Sequence, residues 1–321
     1  MIPIPSLLHY GNPPAISGSD HSRKSAGKHT SGARPCRRSA KRPTLTVRYC
    51  TPTQKLLADL SYSQYFQSVL RSEFQNRDPM TGIFPEVVIQ EADQILKILS
   101  STLPKKVDGK AAILELKEAD YQWRQMEWIG WYFEYKLCTI LTHKIGGHKG
   151  PAFGNTTFDY QKNCVWDFKA HPCKNPKGKI NEPMILNDRE ALDLCIQQYL
   201  GIGFIVVHGE AVFDSSGEFK AWHDELKGGH SVYEKERIQR RAPSRKRKCA
   251  FEIDQIEAIF FNTPSELKKG VDEKWITFFQ EGMRNADGSP RRPKYALWTT
   301  QAPESIRPVE PVRLKEYSEK F

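Results

Sequence analysis

The apolar pattern of this chain changes period near residue 150, and that change constrains the fold most. From 119 to 143, Trp123, Met126, Trp128, Ile129, Trp131, Phe133, Leu137, Ile140 and Leu141 recur at roughly helical spacing. A helix apolar over more than half its circumference belongs deep in a core. Gly146, Gly147 and Gly150 end it. Residues 156–160 (TTFDY) and 164–170 (CVWDFKA) are instead rich in aromatic and β-branched side chains, with a short polar QKN between them. That pattern fits a hairpin or two neighbouring strands. Asn187 or Asp188 caps a further helix to about 200, with Glu190 close behind, and 204–208 (FIVVH) reads as a buried strand. The order helix, strand, strand, helix, strand is an α/β layout around a mixed sheet.

Upstream, helices are expected over 53–76 and 87–99. Nine Lys or Arg and one acid, Asp20, fall within residues 1–50, so this tail holds +8 of the formal charge of +10. It is rich in Ser, Gly, Pro, Arg and Lys and offers little surface to bury, so residues 1–51 read as a disordered basic tail. A phosphate-touching arm and a transit peptide are alternatives to a dispensable segment. The regions that follow are 52–118 (helical), 119–213 (the α/β core) and 214–321 (an α/β extension). Apolar runs are short beside the roughly 20 residues of a bilayer span, so no membrane association is expected. The seven Cys lack tight pairs, which favours a reducing, cytoplasmic setting over a disulfide scaffold.

The chemistry-bearing segment is FDYQKNCVWDFKAH. It places Asp159 on one strand and Asp167 with Lys169 on the next. Strand residues i and i+2 share a face, so Asp167 and Lys169 point one way and Phe168 the other. If the strands pair, Asp159 comes close to Asp167. Two carboxylates suit a hard cation such as Mg²⁺, and Lys169 can orient a water for attack on a phosphodiester. The chain has eight acidic-x-Lys triplets, more than the roughly three that composition gives by chance. Only Asp167-x-Lys169 sits in an aromatic, strand-like run with an acid eight residues upstream. The bland alternative is a wet strand face carrying an ordinary ion pair. A zinc site from His148, Cys164, His171 and Cys173 lacks the paired short spacings such sites use.

These residues resemble the PD-(D/E)xK nuclease superfamily, most of all its type II restriction endonucleases, over roughly 121–213. The resemblance implies a restriction-endonuclease-like core, a mixed central β-sheet flanked by helices. It implies that Asp159 and Asp167 bind Mg²⁺ and that Lys169 assists the attacking water. It also implies an acid on the preceding helix. Glu134, within GWYFEYK, is the preferred residue, and Glu127 the alternative. Phe158 stands where the family name has Pro. The third core strand is expected within 150–155 or 141–145. A prokaryotic cytosol and a companion DNA methyltransferase follow from the resemblance alone.

Downstream, residues 235–248 hold eight Lys or Arg in fourteen positions against Glu236. Arg240, Arg241, Arg245, Lys246, Arg247 and Lys248 are the expected DNA contacts, since Arg and Lys neutralise phosphates and Arg reads guanine edges. A solvated loop or a localisation signal is the alternative. The leading expectation is a Mg²⁺-dependent, site-specific endonuclease for double-stranded DNA acting as a homodimer. A structure-specific repair or junction nuclease and a non-catalytic DNA-binding protein are the alternatives.

Overall fold

The computed structural model describes residues 84–285 and 287–314; the basic tail at 1–51 and the helix expected at 53–76 lie outside the described residues. All the described residues belong to the unit Thr51–Phe321. Helix α1 (Glu86–Thr102) begins behind Pro85 and buries Val88, Ala92, Ile95, Leu96 and Leu99 along one face, as helical spacing requires. Strand β1 (Lys106–Asp108) follows, and the Asp108 side chain then caps α2 (Gly109–Glu118) by accepting from the Ala111 N–H. The apolar helix α3 runs Trp128–Ile145 and buries Trp128, Ile129, Tyr132, Phe133, Leu137, Ile140 and Leu141.

The spacing predicts that helix from 119, but it starts nine residues later. Asp120 and Gln122 adopt φ of 50° and 42°, a left-handed conformation that a right-handed helix cannot continue through. Residues 119–127 therefore form turns, and they carry Tyr121 and Trp123 back against the helices.

The expected hairpin is present only in shortened form: Asp159 lies at a bend just before its first strand rather than on it, because Thr156–Thr157 pair elsewhere. β4 (Tyr160–Gln161) pairs antiparallel with β5 (Val165–Pro172). The third strand sought just upstream does not join this sheet. β2 (Ala152–Phe153) and β3 (Thr156–Thr157) form a separate two-stranded ribbon, and 141–145 is helix. After β6 (Met184–Asp188), Asp188 caps α4 (Arg189–Gln198) through the Ala191 N–H, and β7 (Ile202–Phe213) returns parallel to β5. Helices α5 (Glu218–Leu226) and α6 (Val232–Gln239) precede β8 (Lys248–Phe261), which pairs antiparallel with β7. The chain continues through α7 (Pro264–Asp272), β9 (Ile276–Phe279), β10 (Lys294–Leu297) and β11 (Val312–Arg313).

The main sheet is thus mixed, in the order β1-β8-β7-β5-β4, with β11 also on β8. It takes strands from both sides of the 119–213 segment. A second sheet has the order β6-β10-β9. Alternation along β5, β7 and β8 splits the core in two. Trp166, Phe168, Ile205, Val207, Ala258 and Phe260 join residues of α1, α2 and α3. Val165, Phe204, Val206, Ile259 and Phe261 join residues of α4, α7 and the second sheet. Strands buried on both faces read as continuous apolar runs, which is why 204–208 was legible. Gly203 is required where it stands, because a Cβ there would collide with the Trp166 ring. Among the described residues no helix is long and apolar enough to cross a membrane.

Candidate active site

Strand pairing delivers the acids. Asp159 directly precedes β4, and its Oδ2 accepts from the Phe168 backbone N–H at 2.7 Å. That bond ties it to the strand carrying Asp167 and Lys169. The Lys169 ammonium lies 2.5 Å from Asp167 Oδ2, while Phe168 turns away and stacks on Tyr160. Asn187, at the end of β6, donates to the same Asp167 oxygen at 3.4 Å. Glu134 comes from the half-buried side of α3, and its carboxylate accepts from the Tyr121 hydroxyl. Glu134 and Asp159 line one cavity of about 180 Å³ with Tyr121, Cys138, His148 and Lys149. Glu134 and Asp159 thus share a cavity, and Asp159 is tied to the strand that carries the Asp167–Lys169 pair, which does not line that cavity. Glu127 is not among them: it is exposed, precedes α3 and pairs with Lys248.

The site is short of positive charge. Burial, then repulsion from Asp167 and Glu134, pushes the Asp159 carboxyl up to about 9. Burial also raises Glu134, and Asp167 adds to it, against the Tyr121 hydrogen bond and Lys169. Burial works against the charge on Lys169, but Asp167, Asp159 and Glu134 outweigh it and hold the ammonium above its ordinary range. Lys169, ion-paired to Asp167, and Lys149, which also lowers Glu134 from the cavity wall, thus face three carboxylates. The hydrogen bonds and ion pair at Asp159 and Asp167 all fall on Oδ2, which leaves Oδ1 of each open to another partner among the described residues. Carboxylate oxygens are hard donors of the class Mg²⁺ takes, so the residues present fit that ion.

A tighter acidic cluster lies elsewhere. Asp224, His230 and Glu234 are, among the described residues, the His, Cys or carboxylate set whose ligand atoms all fall within 4.8 Å of one another. Their charge is already matched. Lys220 bridges Asp224 at 2.6 Å and Glu234 at 2.8 Å, Lys227 reaches Asp224 at 2.8 Å, and Arg237 reaches Glu234 at 2.8 Å. These partners hold both carboxyls below their usual range against the cost of burial.

The basic run 235–248 divides by partner. Arg237 and Lys248 are committed to Glu234 and Glu127. Arg240, Arg241, Arg245 and Lys246 are exposed, and Arg247 is half-buried.

Sequence reasoning missed two polar features. Tyr121 falls within the helix that spacing predicts over 119–143, with no signal for the turn that aims it at Glu134. On β7 and β8, His208 Nε2 meets Glu257 at 2.5 Å, and Arg307 reaches the same carboxylate at 2.9 Å. His171, His208, Glu257 and Arg307 line a cavity of about 330 Å³. Burial and the adjacent His208 hold His171 down to about 4. Burial opposes charge on His208, but Cys173 and Glu257 outweigh it and raise that imidazole to about 9. No local pattern marks this group, because its members meet only through the sheet. No protein-family model, curated protein or solved structure matches the chain.

Proposed function

We propose that this chain is a Mg²⁺-dependent endonuclease with a restriction-endonuclease-like core, hydrolysing phosphodiester bonds of duplex DNA at a specific site. The observation that carries it is the gathering of Asp159, Asp167 and Glu134, whose charges act on one another and on Lys169, with Lys169 ion-paired to Asp167 and Lys149 on the cavity wall. Three carboxylates with two lysines leave an electrostatic deficit that a divalent ion relieves.

Mg²⁺ held by Asp159 and Asp167 would polarise a phosphoryl oxygen and stabilise the charge that develops there. The protein's own groups do the rest. Asp167 fixes Lys169, whose ammonium donates a hydrogen bond to the attacking water or to a non-bridging phosphate oxygen. Glu134, on the cavity wall and with raised proton affinity, accepts the proton the water loses. Tyr121 holds Glu134 in place for that transfer. The exposed cations at 240–246 neutralise the duplex backbone and orient the base-reading side chains. On this reading the working unit is a homodimer, whose two-fold axis relates one acid site to each DNA strand. A companion DNA methyltransferase then guards the host's own sites, and the setting is a prokaryotic cytosol.

The test is a digest of unmethylated plasmid with Mg²⁺. Discrete fragments are expected from the wild-type chain and none from Asp167→Ala. A smear, or the same fragments from Asp167→Ala, would sink the assignment.

A further inference from the structure

The cleft between the end of α5 and the segment before β8 is lined by more cations than acids. Its volume is about 720 Å³, and Arg124, Lys227, Arg237, Arg245 and Arg247 line it against Asp224 and Glu234. Both acids are consumed by Lys220, Lys227 and Arg237. Nη1 of Arg247 is buried and has no hydrogen-bond partner. A buried guanidinium nitrogen without an acceptor is costly, and native structures hold few of them. Arg124 stacks on the Trp123 ring at 4.3 Å and donates to the Lys227 carbonyl at 3.2 Å, which fixes it at the cleft's rim. Nη1 itself is closed to solvent and is not the contact; the excess of Arg124, Arg245 and Arg247 over acids already matched is what calls for an anion with several acceptor oxygens. Arg forks match phosphate oxygens two at a time.

Arg124, on the cleft, stands three residues along the chain from Tyr121, which reaches the acid site. Arg124 and Tyr121 belong to the same segment, bent by the left-handed residues Asp120 and Gln122. Tyr121 reaches Glu134, while Arg124 reaches the cleft. A polyanion long enough to touch both must carry more than one phosphate along a chain.

We propose that this cleft seats a backbone phosphate of the DNA substrate, gripped by Arg247 with Arg124 at its rim. The assignment rests on the DNA-binding half of the reading above and not on its chemistry. Arg124 and Lys227 lie outside the basic run, so the grip joins two segments distant in sequence.

The experiment uses the full chain in EDTA, so that no cleavage occurs. The affinity for a duplex oligonucleotide is measured across salt for wild type, Arg247→Ala, Arg124→Ala and the surface control Lys97→Ala. Inorganic phosphate is titrated separately by ³¹P NMR and thermal shift. Arg247→Ala is expected to weaken DNA binding about tenfold and to lower the salt slope by roughly one, with a smaller loss for Arg124→Ala. Lys97→Ala should match wild type, and phosphate should stabilise wild type but not Arg247→Ala. An unchanged salt slope in Arg247→Ala overturns the proposal, even where inorganic phosphate binds, because the cleft would then serve a free anion. A lowered slope in a chain that never cuts DNA with Mg²⁺ supports the phosphate seat and refutes only the nuclease chemistry.

Discussion

Two acidic clusters in this molecule look alike on a list of residues and behave oppositely. Asp224 and Glu234 lie closer to each other and to His230 than a metal site needs, yet Lys220, Lys227 and Arg237 neutralise them. Glu134, Asp159 and Asp167 are more loosely set and have Lys169 as their ion-paired partner. The first pair of carboxyls is pulled down by its partners, and in the second cluster burial and mutual repulsion drive Asp159 and Glu134 up. Proximity of acids and residual charge after local pairing thus point to different clusters.

The largest expected effect separates the two clusters by activity. Asp167→Ala should lower DNA cleavage by about three orders of magnitude or more, the scale of removing a group that acts in the transition state. Asp224→Ala should leave the cleavage rate within about twofold. Quantitative plasmid digests with both variants decide it, and a cleavage defect confined to Asp224→Ala would invert the comparison.

The second effect separates them by stability. Asp224→Ala strips Lys220 and Lys227 of a partner whose side chain is only 7% exposed. The cost should be about 2 kcal/mol, a fall in Tm of roughly 6 °C. Asp167→Ala strips Lys169 of a partner that is only 3% exposed but relieves repulsion at Asp159 and Glu134, so the metal-free variant should lose less Tm than Asp224→Ala. Mg²⁺ should raise the Tm of wild type and of Asp224→Ala but not of Asp167→Ala. Calorimetry with and without Mg²⁺ reads all three.

The third effect is on pH. In EDTA, Asp159 keeps its proton up to about 9 when folded, against a model-peptide value of 3.8. Between those values the folded chain binds a proton that the unfolded chain has released, so stability falls as pH rises through that window. Asp159→Asn should flatten the decline. The Asp224 and Glu234 carboxyls are shifted down, so their contribution is present above about pH 4.5 and fades as pH falls through their folded values. Urea unfolding across pH would expose the error if stability rose from pH 5 to 9 and Asp159→Asn did not alter the trend.

Legibility in the sequence followed the range of the interactions. The site could be read because period-2 geometry puts Asp167 and Lys169 on one face of β5, and a short hairpin brings the neighbouring Asp159 to the same strand. The cap at Asp188 was equally local. β1 spans three residues and shows no period, so nothing in the sequence announced that it would pair with β8, 142 positions away at Asp108↔Ala250 and 146 at Lys106↔Glu252. The matched charge of Asp224 was hidden for another reason. Glu225-x-Lys227 looks like any solvated triplet until α6 folds back and brings Glu234 to Lys220. The turn at 119–127 was read as helix because Trp123 and Met126 keep helical spacing, and spacing carries no information about φ.

The smallest expected effect tests whether that turn serves the acid site at all. The Tyr121 hydroxyl donates to Glu134 and lowers its proton affinity against burial. Tyr121→Phe removes the donor while keeping the ring against Trp131 and Tyr135. A hydrogen bond to a charged group contributes about 1.5–3 kcal/mol, so the rate should fall by roughly tenfold or somewhat more. A merely structural tyrosine would lower stability and leave the pH–rate profile in place. A positioning tyrosine shifts the limb set by Glu134 to higher pH, because the unbonded carboxylate holds its proton more firmly. Cleavage rates measured across pH for Tyr121→Phe distinguish the two, and an unshifted profile would return Tyr121 to the core.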